Sequence, residues 1–188
     1  GDGLSGRLAV LTVKAKDTKT AAAALSTGGF EAVCSLQNGF TEETLAAHLS
    51  VPVIAGTTTY GARLVEPGRV DCTGRGTVTV GAHTDDPDAV VTECADWAAE
   101  AFRAADIETV VAEDMARQRW EKLTINAAIN PITALTRVEN GAVTDEPMWT
   151  VARNAARETA AVARAEGVPL ADEFVVERVR QVCASTAA

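Results

Sequence analysis

Three short segments near the start of the chain constrain its fold more than any other feature. Residues 8–13 are apolar and rich in β-branched side chains, residues 21–25 favour a helix, and residues 32–36 form a second apolar run that leads into Asn38-Gly39. Two strands joined by a tight turn pair antiparallel, whereas two joined through a helix can lie parallel. Strand, helix, strand in this order therefore predicts a βαβ unit, a parallel sheet and an α/β fold.

Further strand-like runs follow at residues 51–55, 57–60, 70–72 and 77–80, separated by Gly, Pro and short polar turns. From Pro87 the pattern changes. Residues 89–104 read as a helix, residues 107–112 as a short strand, and everything beyond Asp114 carries helical spacing. Three helices are expected at 113–132, 145–167 and 172–183, punctuated by Pro131, Asn140-Gly141, Pro147 and Gly167-Val168-Pro169. A β-rich region over 1–112 is thus followed by an all-helical region over 113–188.

Composition narrows the function classes. The 47% of hydrophobic residues in 188 is enough to bury a core. No apolar run reaches the roughly 20 residues of a membrane span, and no basic, apolar leader opens the chain, so a cytoplasmic protein without a membrane partner is expected. A formal charge of -9 with scattered basic residues leaves no patch to neutralise a phosphate backbone, which sets nucleic acid aside. Lysine occurs only as Lys14, Lys16, Lys19 and Lys122, and acids outnumber bases, a balance that fits a salt-rich, halophilic cytoplasm. Cys34, Cys72, Cys94 and Cys183 are far apart, and the only histidines are His48 and His83, so neither a metal site nor a catalytic triad is expected.

One motif is a decoy. Gly1-Asp2-Gly3-Leu4-Ser5-Gly6 matches GxGxxG, but that fingerprint works where a strand feeds a glycine turn that opens a helix. Here a strand follows instead, and Gly74-Arg75-Gly76 fails in the same way, so both read as loops.

The informative segment is residues 120–135, WEKLTINAAINPITAL. At about 100° per residue, Lys122, Asn126 and Asn130 fall within a stripe about 80° wide. The rest of the helix is apolar enough to be largely buried. An ammonium and two amides on such a helix are expected to line a polar cavity or hold a ligand, since burying them unpartnered costs several kcal/mol. Pro131 removes one backbone donor, so the helix should end or kink near Asn130 and aim that side chain into a cleft.

This segment resembles the W-x-K-L-x-x-N-x-x-x-N-P-x-T-A-L pattern of the ketopantoate reductases. Four further segments agree in order and spacing: Val13-Lys14-Ala15, Leu36-Gln37-Asn38-Gly39, Gly56-Thr57-Thr58-Thr59 leading to Gly61-Ala62, and Asn140-Gly141. The resemblance implies the C-terminal part of a Rossmann-type NADP-binding domain, followed by a helical substrate domain similar to the 6-phosphogluconate dehydrogenase C-terminal fold. It implies an oxidoreductase that reduces a small 2-keto acid, ketopantoate, to pantoate with NADPH, in the pathway to pantothenate and coenzyme A. Lys122 then resembles the general acid. Asn38, Asn126, Asn130 and Asn140 resemble substrate-binding amides, and Lys14, Asn38 and Ala62 resemble cofactor contacts.

The departures are at the ends. The family's glycine-rich turn and its last substrate-binding residues have no counterpart here, so the chain is expected to be inactive alone. NADH in place of NADPH, another 2-keto acid, a non-catalytic truncated relative, and a monomeric or homodimeric state all stay open at this point.

Overall fold

The computed structural model describes residues 4–84 and 89–186. The chain divides into two compact units, Gly1–Met115 and Ala116–Ala188.

In the first unit, β1 (Ser5–Leu11) is followed by a 3-10 turn (Ala15–Asp17), helix α1 (Thr18–Ser26) and β2 (Gly29–Ser35). β1 and β2 are parallel, with Leu8 beside Ala32 and Leu11 beside Ser35. A short helix α2 (Glu42–Ala46) leads to β3 (Val53–Thr58), which lies parallel to β2. After an antiparallel ribbon, β4 (Gly61–Glu66) and β5 (Arg69–Gly74), the chain returns to the main sheet as β6 (Val78–Ala82), antiparallel to β3. Helix α3 (Ala89–Ala104) then crosses to β7 (Thr109–Val111), parallel to β6. The sheet order is β1-β2-β3-β6-β7.

Residues 32–34 of β2 and 53–55 of β3 are unbroken apolar runs because both faces of the sheet are covered there. Ala32, Cys34, Ile54 and Val80 face a core built with Ala95, Ala98, Ala99 and Phe102 of α3. Val33 and Val53 face the other way, onto a core with Ala9, Leu11, Ala22 of α1 and Leu45 of α2. At the sheet edge, β1 buries only alternate residues, so Val10 is exposed between Ala9 and Leu11.

The ribbon turns at Pro67-Gly68, where Gly68 has φ +84°, a left-handed value that glycine adopts without strain. Ala62 pairs with Cys72 across it, and both are exposed. Cys72 is the one exposed thiol, since Cys34, Cys94 and Cys183 are buried.

The second unit holds most of α4 (Met115–Thr136), a 3-10 turn (Asn140–Thr144), α5 (Met148–Ala165) and α6 (Asp172–Ser185). Ala152, Ala156, Ala160 and Ala163 of α5 form a stripe of small residues against Val175, Val179 and Cys183 of α6, with Ala128 and Ile129 of α4 in the same core. Gly167, at φ +87°, ends α5. The Val168 N–H donates to Ala163 O at 2.9 Å and the Gly167 N–H to Arg164 O at 3.2 Å, a Schellman closure. Arg164 then holds the α5–α6 turn by donating to Leu170 O and, at 2.9 Å, to Asp172 Oδ1.

Several expectations need correction. Residues 57–60 do not form a strand of their own, because Val53–Thr58 is continuous. The ribbon strand β4 and helix α2 had no expected counterpart. The sheet is mixed, since β6 runs against β3. Helix α4 does not end near Asn130 but continues through Pro131 to Thr136. An interior proline costs about 3 kcal/mol, and here Ile129 and Ile132 on either side both dock on the core. The Thr133 and Thr136 hydroxyls donate back to the carbonyls of Ile129, Asn130 and Ile132. Nor is α4 largely buried, for Asn130, Pro131 and Leu135 are exposed. The Gly1-Asp2-Gly3 part of the GxGxxG match lies outside the described residues, while Ser5 and Gly6 open β1. Among the described residues no helix is long and apolar enough to cross a membrane.

Candidate functional site

In an open α/β sheet, ligands sit outside the carboxyl ends of the parallel strands. The loops after β1 and β2 emerge there. Lys14 follows β1 as an exposed residue whose carbonyl accepts the Asp17 N–H at 2.8 Å and so starts the 3-10 turn. Asn38 follows β2, also exposed, and Gly39 turns the chain at φ +95°.

Between them lies a buried polar network with no counterpart among the residues expected from sequence. The Gln37 side chain is 5% exposed. Its Nε2 donates to Val13 O at 2.8 Å and to Thr18 Oγ1 at 3.0 Å, joining the two loops. On its other side Ser35 Oγ donates to Gln37 Oε1 at 3.4 Å and lies 3.0 Å from Thr41 Oγ1. Glu42 is buried next to this group. Burial, and secondarily the Glu42 charge, pushes the Cys34 thiol up to about 12, so Cys34 stays protonated and is no nucleophile. Ala62 lies on the β4–β5 ribbon, apart from the five-stranded sheet.

In the second unit, α4 carries Lys122, Asn126 and Asn130 on successive turns. Arg117 and Glu121 pair across one turn at 2.9 Å, and the buried Thr124 hydroxyl donates to Trp120 O at 2.8 Å. Ile125, Ala128, Ile129 and Ile132 turn towards the core, and the polar stripe flanks that face. Lys122 and Asn126 are half-buried, whereas Asn130 is exposed. Burial holds the Lys122 ammonium below the ordinary lysine pKa, because desolvation penalises the charged form. Such a group surrenders a proton more readily than a surface lysine. Asn140 lies apart on the 3-10 turn, where its Nδ2 donates to Thr186 Oγ1 at 2.8 Å.

Thus α4 unites three of the expected residues, and Gln37 ties the loops of Lys14 and Asn38. Gln37 was missed because a glutamine beside Asn-Gly reads as a surface turn. Its proximity to Ser35, at the end of a fully apolar run, was the one local sign of burial. Among the described residues no group of His, Cys, Asp and Glu is arranged to hold a metal ion.

Residues 6–85 match the family model for ketopantoate reductase PanE/ApbA, and residues 114–188 match the model for its C-terminal part. A 2-dehydropantoate 2-reductase of Halobacterium salinarum is 42% identical over 184 residues, covering 96% of this chain and 59% of that one. The crystal structure of a PanE/ApbA family ketopantoate reductase from Ralstonia eutropha superimposes with a TM-score of 0.82 at 30% identity, over 97% of this chain and 59% of that one. A ternary structure of D-mandelate dehydrogenase with NADH and anilino(oxo)acetate shares the fold, with a TM-score of 0.83 at 18% identity over 96% and 58% of the two chains. The chain therefore spans about three-fifths of the length of these relatives. On both family matches and on fold, the chain belongs to the ketopantoate reductase family.

Proposed function

We propose that the protein carrying this chain is a 2-dehydropantoate 2-reductase that reduces ketopantoate to pantoate with NADPH in the cytoplasm, as a monomer or homodimer. The observation that carries this reading is the half-buried Lys122, its ammonium pKa lowered by burial, on one helical stripe with Asn126 and Asn130.

Residues 1–112 act as the nucleotide-binding part and residues 113–188 as the substrate part. A nicotinamide dinucleotide fits the sheet end, because the buried groups beneath the loops satisfy one another and leave exposed an ammonium, Lys14, and an amide, Asn38, suited to phosphate and to a carboxamide. The backbone of the exposed Ala62 adds a further contact. Bound there, the cofactor supplies a hydride to the keto carbon.

The remaining steps belong to the chain. Negative charge grows on the substrate oxygen, and the Lys122 ammonium stabilises it and then gives it a proton from Nζ. Asn126, Asn130 and Asn140 orient the hydroxyl and carboxylate groups of the substrate without adding charge, and Asn38 borders both ligands.

The test follows NADPH absorbance with ketopantoate in the enzyme that carries this sequence and in its Lys122→Ala variant. Turnover should fall by ~10²–10⁴, the usual contribution of a positioned acid. Unchanged turnover in the variant would remove Lys122 from the mechanism. Turnover with a different 2-keto acid alone would keep the chemistry and change the substrate.

A further inference from the structure

The side-chain amide of Gln37 has no remaining donor to offer a ligand. Both N–H groups are used, one on Val13 O at 2.8 Å and one on Thr18 Oγ1 at 3.0 Å. A backbone carbonyl can only accept, so Val13 O fixes which end of the amide faces the first loop. The Thr18 hydroxyl, accepting from Gln37, donates its own proton to Ala15 O at 2.8 Å. On the other side the Gln37 N–H and Oε1 both meet Ser35 Oγ, at 3.4 Å each. The amide orientation of Gln37 is therefore fixed, its donors spent on Val13 and Thr18 and its oxygen accepting from Ser35, and Thr18, Ser35, Gln37 and Thr41 are all buried.

The anchors bracket the exposed residues. Val13 immediately precedes Lys14, Thr18 caps the far end of the same turn, and Asn38 immediately follows Gln37. Resting on the cofactor roles proposed for Lys14 and Asn38, we infer that Gln37 is a positioning residue that locks these two loops in a single register for the dinucleotide. It never touches the ligand. Its action is to remove, before binding, the freedom that the loops would otherwise lose on binding.

Gln37→Glu keeps the shape and reverses the polarity, setting a carboxylate against a carbonyl oxygen and against a hydroxyl whose proton is committed to Ala15. In the enzyme that carries this sequence, the variant should raise the KM for NADPH about tenfold or more and the KM for ketopantoate by clearly less, since of the two loops only Asn38 also borders the substrate. Thr18→Val, which removes the acceptor, should shift the same constant in the same direction, and Thr18→Ser, which keeps the hydroxyl, should restore it.

A second readout needs no turnover. In the cofactor-free protein, amide hydrogen exchange should quicken around residues 13–18 in Gln37→Glu and around residues 36–41 in Thr18→Val, each variant loosening the loop it does not belong to. Should the wild type reduce no keto acid at all, the reductase reading falls while this exchange coupling still decides the clamp. Exchange that changes only in the mutated loop, or an NADPH KM that does not move in an active enzyme, overturns the inference. Because Thr18→Val tests the same bond from the other side, a Gln37→Glu protein that fails to fold does not shield it.

Discussion

At the carboxyl end of the sheet, Ser35, Gln37, Thr41 and Thr18 are buried and bonded to one another, whereas along α4 Lys122 and Asn126 are half-buried and Asn130 is exposed. The first set cannot reach a ligand and can only shape what carries Lys14 and Asn38. The second set lies beside the face, Ile125, Ala128, Ile129 and Ile132, by which its helix docks on the core, and is the more accessible of the two. On the proposed roles, burial separates residues that position from residues that make contact, and the two should respond to different perturbations.

The largest effect should come from the packing under the positioning side. Leu45 is fully buried below the loops, and Leu45→Ala should cost about 2–5 kcal/mol of stability, read from the urea midpoint. A loss under 1 kcal/mol would mean that α2 hardly supports this end of the sheet.

On the proposed contact side, Lys122 can serve as the acid only while it is protonated. Since burial lowers its pKa, kcat/KM should fall as pH rises, with a midpoint below that of an ordinary lysine and about tenfold per pH unit beyond it. Lys122→Arg, whose guanidinium does not deprotonate in this range, should abolish that limb. A limb that persists in the variant belongs to another group.

Asn130→Ala should raise the KM for ketopantoate about tenfold, the worth of roughly 1.4 kcal/mol, yet shift stability by no more than about 0.5 kcal/mol because the residue is exposed. A large stability loss would place Asn130 with the positioning residues instead. Smallest of all, Glu31→Ala breaks the exposed pair with Arg7, 3.1 Å long, and should cost under about 1 kcal/mol in thermal unfolding.

Much of the fold was readable because burial imposed period and composition. Helix α3 follows from its small and apolar residues at 94, 95, 98, 99 and 102, and β2 and β3 from runs covered on both faces. Of the ribbon, residues 70–72 of β5 were readable but β4 was not, because Leu64 and Val65 are exposed and no buried face sets an alternation there. Helix α2, five residues long, is too short to show a period. The passage of α4 through Pro131 depends on core partners far along the chain, which local rules about proline do not see. For the candidate site, the α4 stripe was visible as spacing within one helix. The Gln37 network was not, since its partners Val13 and Thr18 lie 24 and 19 residues away and meet it only once β1 and β2 are paired.

The distribution of the four thiols has a practical consequence. Cys34, Cys94 and Cys183 are buried in core clusters, and burial raises the pKa of Cys34 and Cys183 as well, so of these four thiols an alkylating dye at neutral pH finds Cys72 first. Because Cys72 faces Ala62 across the ribbon, one unengineered labelling step puts a fluorophore beside the strand proposed to meet the cofactor, and on that proposal its emission should respond to cofactor binding.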